Sequence, residues 1–243
     1  MTIVNAFEVA PVTSTPKTET LIQFVLDETG SMNSCWDTTI NSFNEYIGSQ
    51  KTVNDGLTCR VGLTKFSDIG RSFFYASATD NDPKQSQGIR NVFVQKDIND
   101  VPLLTRSNYT PNGGTNLYDA IGKTIVDLDG VVKDSQNVLV VIITDGEENA
   151  SREYNVSAIK TMIADRQAKG WTFIYLGANQ DAWKVGSTFG LAKGQTMSYS
   201  TAEMASTMDS LSLATTSYRS ARSLNAVDNK SGEVARDFFG GAK

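Results

Sequence analysis

The chain alternates short, nearly unbroken apolar runs with longer stretches in which apolar residues recur every three or four positions. The first run, LIQFVLD at 21–27, ends in an acid and has the pattern of a strand buried on both faces. Trp36, Ile40, Phe43 and Ile47 follow at helical spacing, which predicts an amphipathic helix over 33–49. Residues 57–64 alternate, with Leu57, Cys59, Val61 and Leu63 set against Thr58, Arg60 and Thr64, as in a strand with one buried face. Residues 71–76 are expected to pair with it as a hairpin edge, across turn-forming residues 67–70. The stretch 79–112 carries weaker signals, a strand at 89–94 and a short helix at 101–104.

The second half is clearer. Leu117, Ile121, Thr124, Ile125 and Leu128 mark a long helix entered through Gly113 and Gly114. The run VLVVIIT at 138–144 holds nothing suited to water and predicts a central strand. Val156, Ile159 and Ile163 give a helix that stops at Gly170, and 171–176 is another buried strand. Met204, Met208, Leu211 and Tyr218 predict a late helix packed through ordinary apolar contacts, and Val234 and Phe238 a last turn.

Strands that alternate with helices imply an α/β fold: a doubly wound, mostly parallel sheet with a short antiparallel edge strand and helices on both faces. The expected organisation is a loose arm over 1–20, one domain over 21–190, and a helical extension over 191–243 packed on that domain. Right-handed crossovers bring the C-terminal ends of the parallel strands to one edge, and ligands of such sheets bind beyond those ends.

Composition narrows the chemistry. The chain has 243 residues, a net charge of −5 and no histidine. The charge disfavours nucleic acid and anionic membranes as partners. Without histidine there is no imidazole base, no Ser-His-Asp or Cys-His nucleophile, and no nitrogen ligand for zinc or iron. A bound metal must be held by oxygen, which points to Mg²⁺, Mn²⁺ or Ca²⁺. The two cysteines, Cys35 and Cys59, are too few for a disulfide framework and are expected to be reduced thiols in or near the core. The N-terminal residues lack the pattern of a signal peptide and no segment has the apolar length of a membrane span, so a soluble, cytoplasmic protein is expected.

Three polar motifs fall where the sheet edge should lie. Asp27-Glu28-Thr29-Gly30-Ser31 follows the first strand, Gly114-Thr115 opens a helix, and Asp145-Gly146 follows the strongest strand. Asp27 and Asp145 with the hydroxyls of Thr29, Ser31 and Thr115 offer hard oxygens and only two negative charges. A Mg²⁺ ion held this way keeps an open position for a carboxylate from outside. Each motif alone has an ordinary reading: Asp145-Gly146 a turn, Thr115 a helix cap. Together, Asp-x-Thr-x-Ser after strand one, Gly-Gly-Thr at a helix start and Thr-Asp-Gly after a buried strand resemble the von Willebrand factor A domain. The resemblance covers about residues 21–188. It implies that Asp27, Thr29, Ser31, Thr115 and Asp145 form a metal-ion-dependent adhesion site. The family usually has serine at the position of Thr29, a change that keeps the hydroxyl. Residues 111–120 and 173–182 look especially like the small, stand-alone bacterial and phage members.

The resemblance implies a non-enzymatic module whose protein partner supplies an Asp or Glu to the metal, in an assembly or regulatory role. Other classes are weaker. A metal-dependent phosphohydrolase built on Asp27 would need an acid two residues on, where Thr29 stands. Thr29-Gly30-Ser31 superficially resembles an aspartic-protease motif, but Glu28 precedes it and a second copy is missing. A structural or assembly protein, in which the metal only stabilises loops, is a further alternative. Glu147, Glu148 and Asn149 either supplement the metal and partner site or form a solvated loop. Asp119 either ties the Thr115 loop or is a surface helix acid. Trp36 is expected in the core, with a partner surface as the other reading.

Overall fold

A computed structural model describes residues 17–69, 88–224 and 230–240. Among these residues the strands are β1 (Glu19–Asp27), β2 (Thr58–Phe66), β3 (Arg90–Asp97), β4 (Gln136–Thr144), β5 (Thr172–Ala178) and β6 (Thr196–Tyr199). The helices are α1 (Trp36–Lys51), α2 (Leu117–Asp129), α3 (Val156–Ala168), α4 (Ala182–Thr188), α5 (Met204–Leu224) and α6 (Lys230–Arg236). The strands form one sheet in the order β3-β2-β1-β4-β5-β6. Every neighbouring pair is parallel except β2 and β3.

Period-two alternation sorts the strand residues onto two faces. Ile22, Phe24 and Leu26 of β1 join Leu139, Val141 and Ile143 of β4 in a core beneath α1, α5 and α6. Leu21 and Val25, with Val138, Val140 and Ile142, face α2, α3 and α4. All nine residues of β4 are buried, as its unbroken apolar run requires of a strand covered on both sides. Each such Val, Leu or Ile contributes roughly 1.5–3 kcal/mol on leaving water.

Several expectations shift. The antiparallel edge is β3, close to the anticipated 89–94 strand, whereas the proposed hairpin strand at 71–76 lies outside the described residues, as does most of the N-terminal arm. β2 is buried on both faces from Val61 onward: Val61 and Leu63 pack in the core beneath α1, and Phe66 in the core that faces α2. Residues 101–104 are not helical: a short 3-10 turn lies just before them at Ile98–Asp100, and Val101 and Leu104 are buried as anchors of an irregular segment. The first helix begins as a 3-10 turn, Gly30–Cys35, and becomes α-helical at Trp36. The stretch after 190 supplies a strand, β6, as well as helices, and α4 precedes it. α5 packs Met208, Leu211 and Tyr218 into the core beneath α1 and adds polar contacts. Gln50 of α1 donates to the Ser212 carbonyl at 2.9 Å, and the buried Arg219 donates to the Gln50 carbonyl at 3.0 Å and to Asp55, just beyond α1, at 2.8 and 3.2 Å. Among the described residues no helix is long and apolar enough to cross a membrane.

Candidate metal centre at the sheet switch point

Chain order reverses beside β1: the path runs outward to β2 and β3 on one side, and to β4, β5 and β6 on the other. That reversal opens a crevice beyond the C-terminal ends of β1 and β4, the place where open α/β sheets bind ligands. The register pairs Leu26 with Ile143, so Asp27 and Thr144 end the two strands side by side.

Asp27 is fully buried. Its Oδ1 accepts from the Thr29 backbone N–H at 2.7 Å and its Oδ2 from the Thr144 hydroxyl at 2.6 Å, which fixes the carboxylate plane. The Tyr109 hydroxyl donates to the Asp27 carbonyl at 2.7 Å and holds the strand end from below. Thr29 Oγ1 and Ser31 Oγ lie 3.0 Å apart, and the Ser31 hydroxyl donates to Asp145 Oδ1 at 2.5 Å. The two aspartates are thus linked through one short chain of oxygens.

Thr115 arrives by loop weaving. Asp68 and Gly114 exchange backbone hydrogen bonds, and the Gly30 N–H donates to the Gly113 carbonyl at 3.0 Å. The Thr115 N–H donates to Asn149 Oδ1 at 2.8 Å, while the Asn149 and Ala150 N–H groups donate to the Thr115 carbonyl. Gly113 has φ +79°, and a Cβ there would lie 2.3 Å from the Asp68 carbonyl oxygen, so glycine is required. A Cβ on Gly146 would sit 2.8 Å from Thr115 Oγ1 and 3.5 Å from Ser31 Oγ. Both hydroxyls therefore close on the same backbone point, immediately after Asp145. All five sequence-derived residues meet at this edge.

The donor chemistry fits a hard divalent cation. Among the described residues no group of three or more His, Cys, Asp and Glu side chains that could hold a metal ion is found, and the oxygens gathered here come from two carboxylates and from hydroxyls. The 3.0 Å between Thr29 Oγ1 and Ser31 Oγ matches the edge of an octahedron with arms of about 2.1 Å. Burial, opposed by the hydrogen bonds from Thr144 and Thr29 and reinforced by Asp145, pushes the Asp27 carboxyl up to about 6. Asp145 is raised too, again chiefly by burial. A cation would compensate the charge of the buried Asp27 carboxylate and of the half-buried Asp145 beside it.

The neighbouring polar residues mostly build the loops. Glu148 accepts from the backbone N–H groups of Tyr118, Ala150 and Ser151, and so joins the start of α2 to the loop after β4. Asp119 is buried and accepts from the N–H groups of Arg152, Glu153 and Tyr154, so it anchors that same loop and is no surface acid. Glu147 is exposed. Trp36 is half-buried against the core, donates from its indole to the Tyr109 carbonyl at 2.8 Å, and carries the Arg106 guanidinium 4.4 Å from its ring. Cys35 and Cys59 are buried free thiols.

Sequence reasoning missed Tyr109, Thr144 and Glu28. Thr144 had a signal, as the last residue of the strand beside Asp27. Glu28 is buried, accepts from Lys65 Nζ at 2.7 Å and from the Thr110 N–H at 2.7 Å, and is also paired with Arg90. Burial pulls the Lys65 ammonium below its usual range, with Glu28 opposing.

No protein-family model and no curated protein sequence matches the chain. Solved structures do. Proximal thread matrix protein 1 from the mussel byssus superposes with a TM-score of 0.53 at 15% identity, covering 81% of this chain and 47% of that one. The pilus adhesin SpaC from Lactobacillus rhamnosus GG, in its open conformation, gives 0.55 at 12%, covering 80% and 30%. The VWA domain of SpRpn10 gives 0.50 at 9%, covering 80% of this chain and 95% of that one. The chain thus spans less than half the length of the first two. At such identities the likeness concerns the fold. A mostly parallel six-stranded sheet with one antiparallel edge strand, helices on both faces and a VWA domain among its structural neighbours give this chain a von Willebrand factor A-like fold.

Proposed function

We propose that the chain is a non-enzymatic protein-interaction module that holds a divalent cation, Mg²⁺ or its Mn²⁺ or Ca²⁺ counterparts, with Asp27, Thr29, Ser31, Thr115 and Asp145. The cation offers its open position to an Asp or Glu side chain of a protein partner. One observation carries the reading: residues from three distant segments close into a single oxygen cluster at the switch point, with Ser31 bridging Thr29 and Asp145. Two carboxylates leave the bound ion charged enough to attract a third from outside. Thr29 stands two residues after Asp27, where a phosphohydrolase would carry its second acid, which favours a binding reading. A VWA domain and a pilus adhesin among the structural neighbours support an interaction role. The resemblance of 111–120 and 173–182 to small bacterial and phage members extends the reading to a module working in a bacterial cytoplasm.

Calorimetric titration of Mg²⁺ and Mn²⁺ into chelator-stripped protein tests the first step. One saturable site, lost in the Asp27→Ala, Asp145→Ala double variant, is expected. Equal heats from the variant would refute the metal assignment. Capture of acidic peptides with Mg²⁺ but not with chelator tests the second step.

A further inference from the structure

The Glu28 carboxylate sits between two cations that the sheet register sets directly opposite each other, Lys65 on β2 and Arg90 on β3. Like charges in such a pair repel, and Glu28 holds them together. The sum is one positive charge in surplus. Glu28 is saturated, since it also accepts from the Thr110 N–H. Lys65 is buried and further satisfied by the Asn108 carbonyl. Arg90 differs: its side chain is 40% exposed, Nη2 is spent on Glu28, and its buried Nε–H has no acceptor among the described residues. A buried donor left without a partner forfeits the hydrogen bond it would make to water, so an acceptor brought to it is favoured.

Arg90 lines a cleft of about 530 Å³, within the range of pockets that bind small ligands, and its buried Nε–H lies behind that exposed guanidinium. Glu28 is the only acid among its described lining residues, and Ser67, Asn91 and Ser107 add neutral polar groups. Val92, 41% exposed, gives one apolar wall. The cleft adjoins the metal loop through rigid backbone: the Glu28 N–H donates to the Phe66 carbonyl at 2.8 Å and its carbonyl accepts from Asn112 at 2.9 Å.

We infer that this cleft is an anion subsite in which Arg90, backed by Lys65, receives a carboxylate, so that a partner segment carrying two acids places one at the metal and the other here. The proposal rests on the interaction-module reading given above. A single surplus charge is neutralised by one carboxylate, whereas a phosphate dianion would leave the cleft negative beside Glu28. Charge-assisted, forked contacts of this type suit the planar carboxylate.

The test is a nuclear magnetic resonance titration of the full chain with glutarate and, separately, inorganic phosphate at fixed ionic strength, with chelator and with Mg²⁺. Saturable shifts of the Arg90 Nε–Hε and Thr110 backbone signals by glutarate are expected in both conditions, with weaker binding of phosphate. Val92→Glu leaves the Glu28 ion pairs intact and should weaken glutarate about fivefold, and Arg90→Met about tenfold or more, read at Thr110. No saturable shift, an unchanged affinity in both variants, or tighter binding of phosphate would overturn the subsite. Failure of the metal reading appears separately, as missing Mg²⁺-dependent shifts at Thr29 and Ser31.

Discussion

Replacing Asp27 by asparagine should stabilise the metal-free protein at neutral pH, although it removes a residue at the heart of the proposed site. The Asp27 carboxyl is fully buried and titrates at about 6 instead of its ordinary 3.8. A group whose affinity for protons is higher in the folded state favours folding fully below the unfolded value and loses that contribution as pH rises through the folded value. At 1.36 kcal/mol for each tenfold change, the charge on Asp27 costs the metal-free fold about 3 kcal/mol by pH 7.5. The neutral amide of the Asp27→Asn variant escapes that cost and keeps the geometry. Its oxygen accepts from the Thr29 N–H, and its NH₂ group donates to Thr144 Oγ1, which then gives its own proton to the Gly146 carbonyl 3.2 Å away. Urea unfolding followed by tryptophan fluorescence, in chelator at pH 7.5, should place the variant's midpoint about 1 M above that of the native chain. Near pH 4 the two should converge, because Asp27 is then protonated in the folded state. Saturating Mg²⁺ should raise the native chain by about 2.7 kcal/mol at a hundredfold excess over Kd and leave the variant unmoved. A variant less stable than the native chain in chelator at pH 7.5 would refute the reasoning, since the buried charge would then be compensated from within the protein.

Other perturbations separate the roles of nearby residues. Gly146→Ala should cut Mg²⁺ affinity about tenfold or more while changing the melting temperature little, because its Cβ intrudes on Thr115 Oγ1 rather than on the core; calorimetry decides. Glu28→Gln leaves Lys65 and Arg90 facing each other without their counter-ion and should cost about 3–5 kcal/mol in urea unfolding, with or without metal. Asp119→Ala strips acceptors from three backbone N–H groups, and a loss of about 3 kcal/mol with faster amide exchange at 152–154 is expected. Metal affinity should fall as pH drops through about 6, since protons compete for Asp27; a flat calorimetric profile between pH 5 and 7.5 would contradict this.

The parts of the fold that could be read from the sequence were those where one physical demand dominated. β4 must be buried on both faces, so its apolar run is unbroken, and α2 shows its buried stripe at 117, 121, 125 and 128. The oxygen cluster was legible because strand ends carry their polar residues in fixed positions, and parallel topology brings those ends together. β6 was not legible: of its four residues, Thr196–Tyr199, two are half-buried, one is exposed and one is buried, and they pair on one side only, so no apolar period forms. Residues 101–104 looked helical because Val101 and Leu104 are buried three apart, a spacing that an irregular segment over a core reproduces. Glu28 stayed hidden because burial of an acid depends on Lys65 and Arg90, which lie 37 and 62 residues away in sequence. Asp119 kept two readings in sequence for a related reason: its partners are backbone N–H groups, which side-chain identity does not reveal.

The two thiols give the molecule a pair of internal clocks. Cys35 closes the 3-10 turn that carries Ser31, and Cys59 lies in β2, far along the sheet from that turn. Both are buried, and burial raises both thiols, Cys59 to about 11, so neither reacts from the closed state at neutral pH. A thiol reagent therefore measures how often each neighbourhood opens. Cys35 times the loosening of the loop that holds the cation, and Cys59 times the parting of the sheet. If the cation tightens only its own loop, Mg²⁺ slows the first clock and leaves the second running at its former rate.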